Sequence, residues 1–129
     1  MKRTWPIIAV ADVAKSSNWY MKLLAGVNNH PDATVFDQIM DKDGTVLVCV
    51  HHWGDHHHPS LSNPDHGSVG KGLLLWIVVD DFDAAWERAQ EMRALVEETP
   101  HTDNGTLMRA FVVRDPDGYY VAVNEERGQ

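Results

Sequence analysis

The sequence predicts an α+β fold made of two tandem β-α-β-β-β modules. Three observations carry that prediction. An apolar run ending in an acidic helix start occurs twice, at Ile7–Val13 and at Trp76–Phe82. One amphipathic helical pattern follows each run. Each half then closes on a hairpin around a turn of the form Asp-x-Asp-Gly. One helix per half among short, closely spaced strands points to α+β rather than to a doubly wound sheet.

The elements follow in order. Asp12 and Asp81 stand at the helix starts, 69 positions apart, where a carboxylate can accept the free N–H groups of a first turn. Val13, Ser17, Tyr20 and Leu24 mark the buried stripe of the first helix. Phe82, Ala85, Trp86, Ala89 and Met92 mark that of the second. Gly26 is the expected stop of the first helix. A short strand is expected near Val27–His30 in one half and near Leu95–Glu98 in the other. The first hairpin joins Thr34–Met40 to Thr45–His52 through Asp41-Lys42-Asp43-Gly44. The second joins Met108–Arg114 to Tyr119–Asn124 through Asp115-Pro116-Asp117-Gly118. The turns lie 74 positions apart, so the second half is about five residues longer, with the extra length placed at Pro100–Thr106. The whole chain reads as one domain of 129 residues: a first module at about 4–53, a linker loop at 54–71 and a second module at about 72–126.

Composition narrows the function. Hydrophobic residues make up 43%, enough for a packed core. A formal net charge of −8 excludes the basic surface a nucleic-acid binder needs. No apolar run approaches the ~20 residues that span a bilayer, and the start carries no secretory pattern. The single cysteine, Cys49, excludes an intrachain disulfide. A cytoplasmic location, with no membrane and no nucleic-acid partner, is expected.

Several motifs add a resemblance. Val10-Ala11-Asp12 with Lys15-Ser16 and Trp19-Tyr20, the run Val78–Ala85, and above all Phe111-Val112-Val113-Arg114-Asp115-Pro116-Asp117-Gly118 resemble the two modules of the glyoxalase, bleomycin-resistance and extradiol-dioxygenase superfamily, the vicinal oxygen chelate proteins. The likeness covers roughly residues 4–126. It implies a cupped, mixed, eight-stranded sheet around a ligand cavity, with the helices outside, and a homodimer.

The resemblance also points to the cavity side chains, because its members aim the position of Ala122 inward. Strand alternation then adds Arg109, Phe111, Val113, Tyr120 and Asn124 to that face. The repeat places Asp37, Val48, Val50 and His52 likewise. The first strand of each half contributes Trp5 and Ile7, and Leu74 and Trp76. Four rings, Trp5, Trp76, Phe111 and Tyr120, are expected to form a slot for a planar ligand. Arg109, Asn124 and His52 are expected to orient it. Asp37 and Arg109 are inward charges that need a partner, each other or a ligand group. Cys49, of opposite parity to Val48, is expected beneath a helix.

In metal-dependent members of the superfamily, histidine and glutamate ligands sit in the first and last strand of each module. Carried over, those positions are Trp5, Val48, Leu74 and Ala122, none able to ligate a metal. No cofactor is therefore expected. Six of the eight histidines lie between His51 and His66, in no structural zinc spacing, and read as a polar loop. The leading functional expectation is a metal-independent protein that binds a small molecule, in the manner of the bleomycin-resistance branch. The alternative is a lyase, isomerase or dioxygenase with a rearranged metal site drawn from His51–His58.

Overall fold

The computed structural model describes residues 3–55, 58–65, 70 and 72–126. Contacts divide the chain into two compact units, Met1–Ser68 and Val69–Gln129. The first contains β1 (Ile7–Val10), α1 (Val13–Leu24), β2 (Val27–Asn28), β3 (Phe36–Met40) and β4 (Val46–His52), followed by a single 3-10 turn at Pro59–Leu61. The second contains β5 (Leu74–Val79), α2 (Phe82–Glu91), β6 (Leu95–Thr102), β7 (Arg109–Arg114) and β8 (Tyr120–Glu125).

The two units share one topology. Their sheets run β1-β4-β3-β2 and β5-β8-β7-β6. In each, the first strand lies parallel to the last, and the other neighbours are antiparallel. The α+β architecture of two β-α-β-β-β modules is thus the observed one. The 3-10 turn, inside the stretch expected to be only loop, is an addition. His56, His57 and His66 lie outside the described residues.

The caps work as the residues require. The Asp12 carboxylate accepts from the Lys15 N–H at 3.0 Å, and that of Asp81 from the Ala84 N–H at 3.0 Å. The stop of α1 differs from expectation by one residue. Ala25 takes the left-handed conformation (φ 52°), while Gly26 serves a close approach. A Cβ on Gly26 would stand 2.7 Å from the Met40 carbonyl oxygen. The longer second half is spent partly on β6, which runs through Thr102 with two irregularities in its pairing to β7.

The hairpins decide which side chains share a face. In both, the Asp opening the turn pairs with the residue after Gly: Asp41 with Thr45 and Asp115 with Tyr119. Gly44 and Gly118 have φ values of 90° and 94°, the left-handed residue that follows a type I turn. The first strand pair beyond the turn is therefore Arg114 with Tyr120, not Arg114 with Tyr119. A shift of one residue exchanges the faces of β7 relative to β8. Arg109, Phe111 and Val113 consequently face α2, opposite to the sequence expectation. Phe111 is fully buried, with ring centroids 5.6 Å from Phe82 and 5.0 Å from Trp86.

A second irregularity acts in the first unit. Met40 pairs with Val46 but Ile39 pairs with Val48, leaving Leu47 as an extra residue in β4. This bulge reverses the alternation of β4 beyond it. Val48 and Val50 therefore pack on the α1 side with Ile8, Val10, Ile39 and Tyr20, all nearly inaccessible. Cys49 and His51 take the opposite face, which corrects the placement of Cys49 beneath a helix. Asp37, opposite Val50, also lies on the α1 side.

Candidate functional site

The face of the first sheet turned away from α1 bears a cleft of about 760 Å³, within the usual range for small-molecule sites. Its floor is built from three adjacent strands: Ile7 of β1, Phe36 of β3 and His51 of β4. One wall is the β2–β3 loop with His30, Ala33, Thr34 and Val35. The other is the segment after β4, with His58, Ser60 and Leu61.

Buried polar groups hold both walls in place. Asp37 is 1% exposed. Its carboxylate accepts hydrogen bonds from the Asn28 amide at 2.8 Å, from the His30 N–H at 3.0 Å and from the Gln38 N–H at 2.9 Å. Three donors satisfy a buried charge that would otherwise be costly. They also tie the start of the β2–β3 loop to β3. The Asn29 amide adds a bond to the Gln38 side chain at 2.7 Å. On the other wall, His52 Nδ1 lies 2.7 Å from the Asp55 carboxylate. The Gly54 N–H donates to the Leu61 carbonyl at 2.8 Å, folding the segment back. Asp37 and His52, expected to face a ligand, hold the walls in place through these bonds.

Four rings run edge to face across the cleft. Centroids are 5.5 Å apart for His30 and Phe36, 6.2 Å for Phe36 and His51, and 5.2 Å for His51 and His58. His51 is 3% exposed, and its Nδ1 lies 2.8 Å from the His52 carbonyl oxygen. A carbonyl can only accept, so Nδ1 carries the proton and the ring orientation is set by the backbone.

The other expected site residues distribute as follows. Trp5 precedes β1 and is half-exposed. Leu74 and Trp76 project from β5 on the face away from α2, exposed to 50% and 46%. Tyr120 and Ala122 share that face, and the Arg114 guanidinium stacks 4.3 Å over the Tyr120 ring. Asn124, also there, donates its amide to the Ala122 carbonyl at 3.2 Å and the Ile77 carbonyl at 3.4 Å. Its buried Oδ1 has no hydrogen-bond partner among the described residues. Arg109 donates to Glu125 at 2.9 Å and to Asp83 at 3.0 Å, and lies 4.6 Å over the Phe82 ring. Its partners thus lie on α2 and at the end of β8. Phe111 packs under α2 and so does not share the face of Trp76 and Tyr120, as the four-ring slot requires.

The donor set does not suit a metal. The bulge makes Cys49, not Val48, the counterpart of Ala122: Cys49 pairs with Ile7 as Ala122 pairs with Trp76. The superfamily's four positions then hold an indole, a thiol, a leucine and an alanine. Burial pushes the Cys49 thiol up, the Asp37 charge adds to this, and a hydrogen bond from Gln38 opposes it. One buried thiol that resists ionisation cannot hold a divalent ion alone. Among the described residues no group of three histidine, cysteine, aspartate or glutamate side chains is arranged to do so.

The family model for the glyoxalase/bleomycin resistance protein/dioxygenase superfamily matches residues 4–123, and the chain belongs to that superfamily. No curated protein matches it. Solved structures share its fold at low identity. An integron cassette protein from the mobile metagenome of V. cholerae is 21% identical with a TM-score of 0.69, covering 97% of each chain. A glyoxalase/bleomycin resistance protein from Catenulispora acidiphila DSM 44928 is 19% identical with a TM-score of 0.66, covering 98% of this chain and 99% of its own. A glyoxalase/bleomycin resistance protein/dioxygenase family enzyme from Burkholderia phytofirmans PsJN is 17% identical with a TM-score of 0.72, covering 94% and 95%. Among the described residues no helix is long and apolar enough to cross a membrane.

Proposed function

We propose that the chain is a metal-independent binding protein for a planar, partly apolar small molecule, held in the cleft of the first unit. The observation that carries this reading is the cleft itself: a hollow of ligand size with Ile7, Phe36 and Leu61 as apolar surface and imidazoles beside them. Burying ~200 Å² of apolar ligand surface there contributes on the order of 5 kcal/mol before ordering costs. The absence of a fitting donor set at the superfamily's metal positions supports binding without a metal.

Titration of a naphthalene-type probe followed by calorimetry tests this. Binding is expected with and without a chelator, and Phe36→Ala is expected to weaken it about tenfold. Binding or turnover that appears only with a divalent ion would support an enzyme of the superfamily instead. The reading includes a homodimer, expected in sedimentation as a species of twice the 14.5 kDa chain.

A further inference from the structure

We infer that the first unit carries a second binding site, a polar pit against α1 that takes the ammonium group of a small primary amine. The site does not rest on the reading above, because the cleft lies on the face of the sheet turned away from α1 and the pit on the α1 side. The pit has a volume of about 170 Å³. Ser17, Asn18 and Met21 of α1 face Asn28 of β2, Asp32 of the β2–β3 loop and Asp37 of β3 across it. A water molecule takes up about 30 Å³ of the liquid, so the pit has room for a molecule of a few heavy atoms.

The first support is Ser17. A serine inside a helix can bond its hydroxyl to the carbonyl four residues back. Ser17 stands in the buried stripe with Val13, Tyr20 and Leu24 and is 3% exposed, and its Oγ has no hydrogen-bond partner among the described residues. A buried hydroxyl without a partner is costly, and this one belongs to a residue that lines the pit. The second support is Asp37. A carboxylate offers about four acceptor positions. Oδ1 takes the His30 and Gln38 N–H groups, and Oδ2 takes the Asn28 amide, which leaves one position on Oδ2. The His30 ring, with Nδ1 4.0 Å from Asp37 Oδ1, pairs with Asn29 and does not line the pit.

The third support is the arrangement of charge. Asp32 and Asp37 line the pit, and no lysine, arginine or histidine does among the described residues. Asp37 and Ser17 are buried, while Asn18 and Asp32 are exposed, so the acceptors at the closed end lie below a polar rim. An ammonium group entering head first meets Ser17 and Asp37 as charge-assisted acceptors and leaves its alkyl end beside Met21. Two carboxylates without a third ligand do not make the shell a divalent ion requires. An ammonium needs only acceptors within hydrogen-bond reach.

The experiment titrates the full chain with ethylammonium chloride, with ethanol as the uncharged molecule of the same shape, and with potassium chloride as a cation without N–H donors. Nitrogen-15 chemical shifts of the His30 and Gln38 amides, which donate to Asp37, read the site. Ethylammonium is expected to shift both to saturation, about tenfold more tightly than ethanol or potassium. Ser17→Ala and Asp37→Asn are each expected to weaken ethylammonium about tenfold. Should Asp37→Asn fail to fold, Ser17→Ala carries the comparison alone, since alanine is the better helix former. Equal shifts with potassium or with ethanol would overturn the selection of an ammonium group. Unchanged affinity in Ser17→Ala, or no saturable shift with ethylammonium, would overturn the site.

Discussion

At the scale of single residues, the end of α1 concentrates two opposite backbone demands in neighbouring positions. Ala25 adopts a left-handed conformation that L-residues other than glycine take at a cost, while Gly26 has no room for a Cβ against the Met40 carbonyl. Ala25→Gly is therefore expected to stabilise the chain by about 0.5–1 kcal/mol, the relief of strain exceeding the added chain entropy. Gly26→Ala is expected to destabilise it by about 1–3 kcal/mol, because β3 or the helix end must shift. Urea unfolding of the two variants checks both signs. Cys49 gives a second test at this scale. Its buried thiol is pushed above the usual cysteine range, so native protein should leave an alkylating reagent unreacted at neutral pH, and denatured protein should consume it at one thiol per chain. Rapid native labelling would show that the first sheet opens around Cys49.

At the scale of elements, the register of two hairpins accounts for what the sequence did and did not reveal. The helices, caps and turns were legible, because each is written in adjacent residues: Asp12 and Asp81 at the starts, Gly44 and Gly118 in the turns. The faces were not. Whether Phe111 looks toward α2 or away depends on one residue more or less in a turn, and both turn types accept the same Asp-Pro-Asp-Gly. The bulge at Leu47 had a faint trace, since Val46-Leu47-Val48 is apolar throughout where alternation would be expected. The corrected register makes a definite statement about Phe111. As a ring beneath α2, its replacement by alanine should cost about 3–5 kcal/mol of stability and leave ligand affinity unchanged; a slot residue would show the reverse.

The same register joins Arg109 of β7 to Glu125 of β8 and Asp83 of α2, and this network sets a pH dependence. The Arg109 backbone N–H and then its guanidinium hold the Glu125 carboxyl below the usual carboxylate range. The folded-state value is depressed, so the stabilisation is present above the unfolded carboxylate's pKa and is lost as pH falls through the folded one. The stability gap between wild type and Glu125→Gln should therefore be widest near neutral pH and shrink on acidification below about pH 4. Thermal melts across that range measure it, and a gap independent of pH would remove Glu125 from the network.

At the scale of the whole molecule, the net charge permits a test on rates. The chain carries a formal net charge of −8, while its cleft is lined by imidazoles. Long-range approach follows the net charge, and the final contact follows the local groups. Between about 10 mM and about 150 mM ionic strength the screening length falls from about 30 Å to about 8 Å. The far carboxylates then cease to act on an incoming ligand, whereas contacts inside the cleft are screened much less. The association rate constant of an anionic probe, 1-naphthoate, should accordingly rise over that range, and that of a cationic one, 1-naphthylmethylammonium, should fall. Stopped-flow fluorescence reads both. If naphthoate association slowed with added salt instead, attraction by groups near the cleft would dominate at long range, and the net charge would not govern access to it.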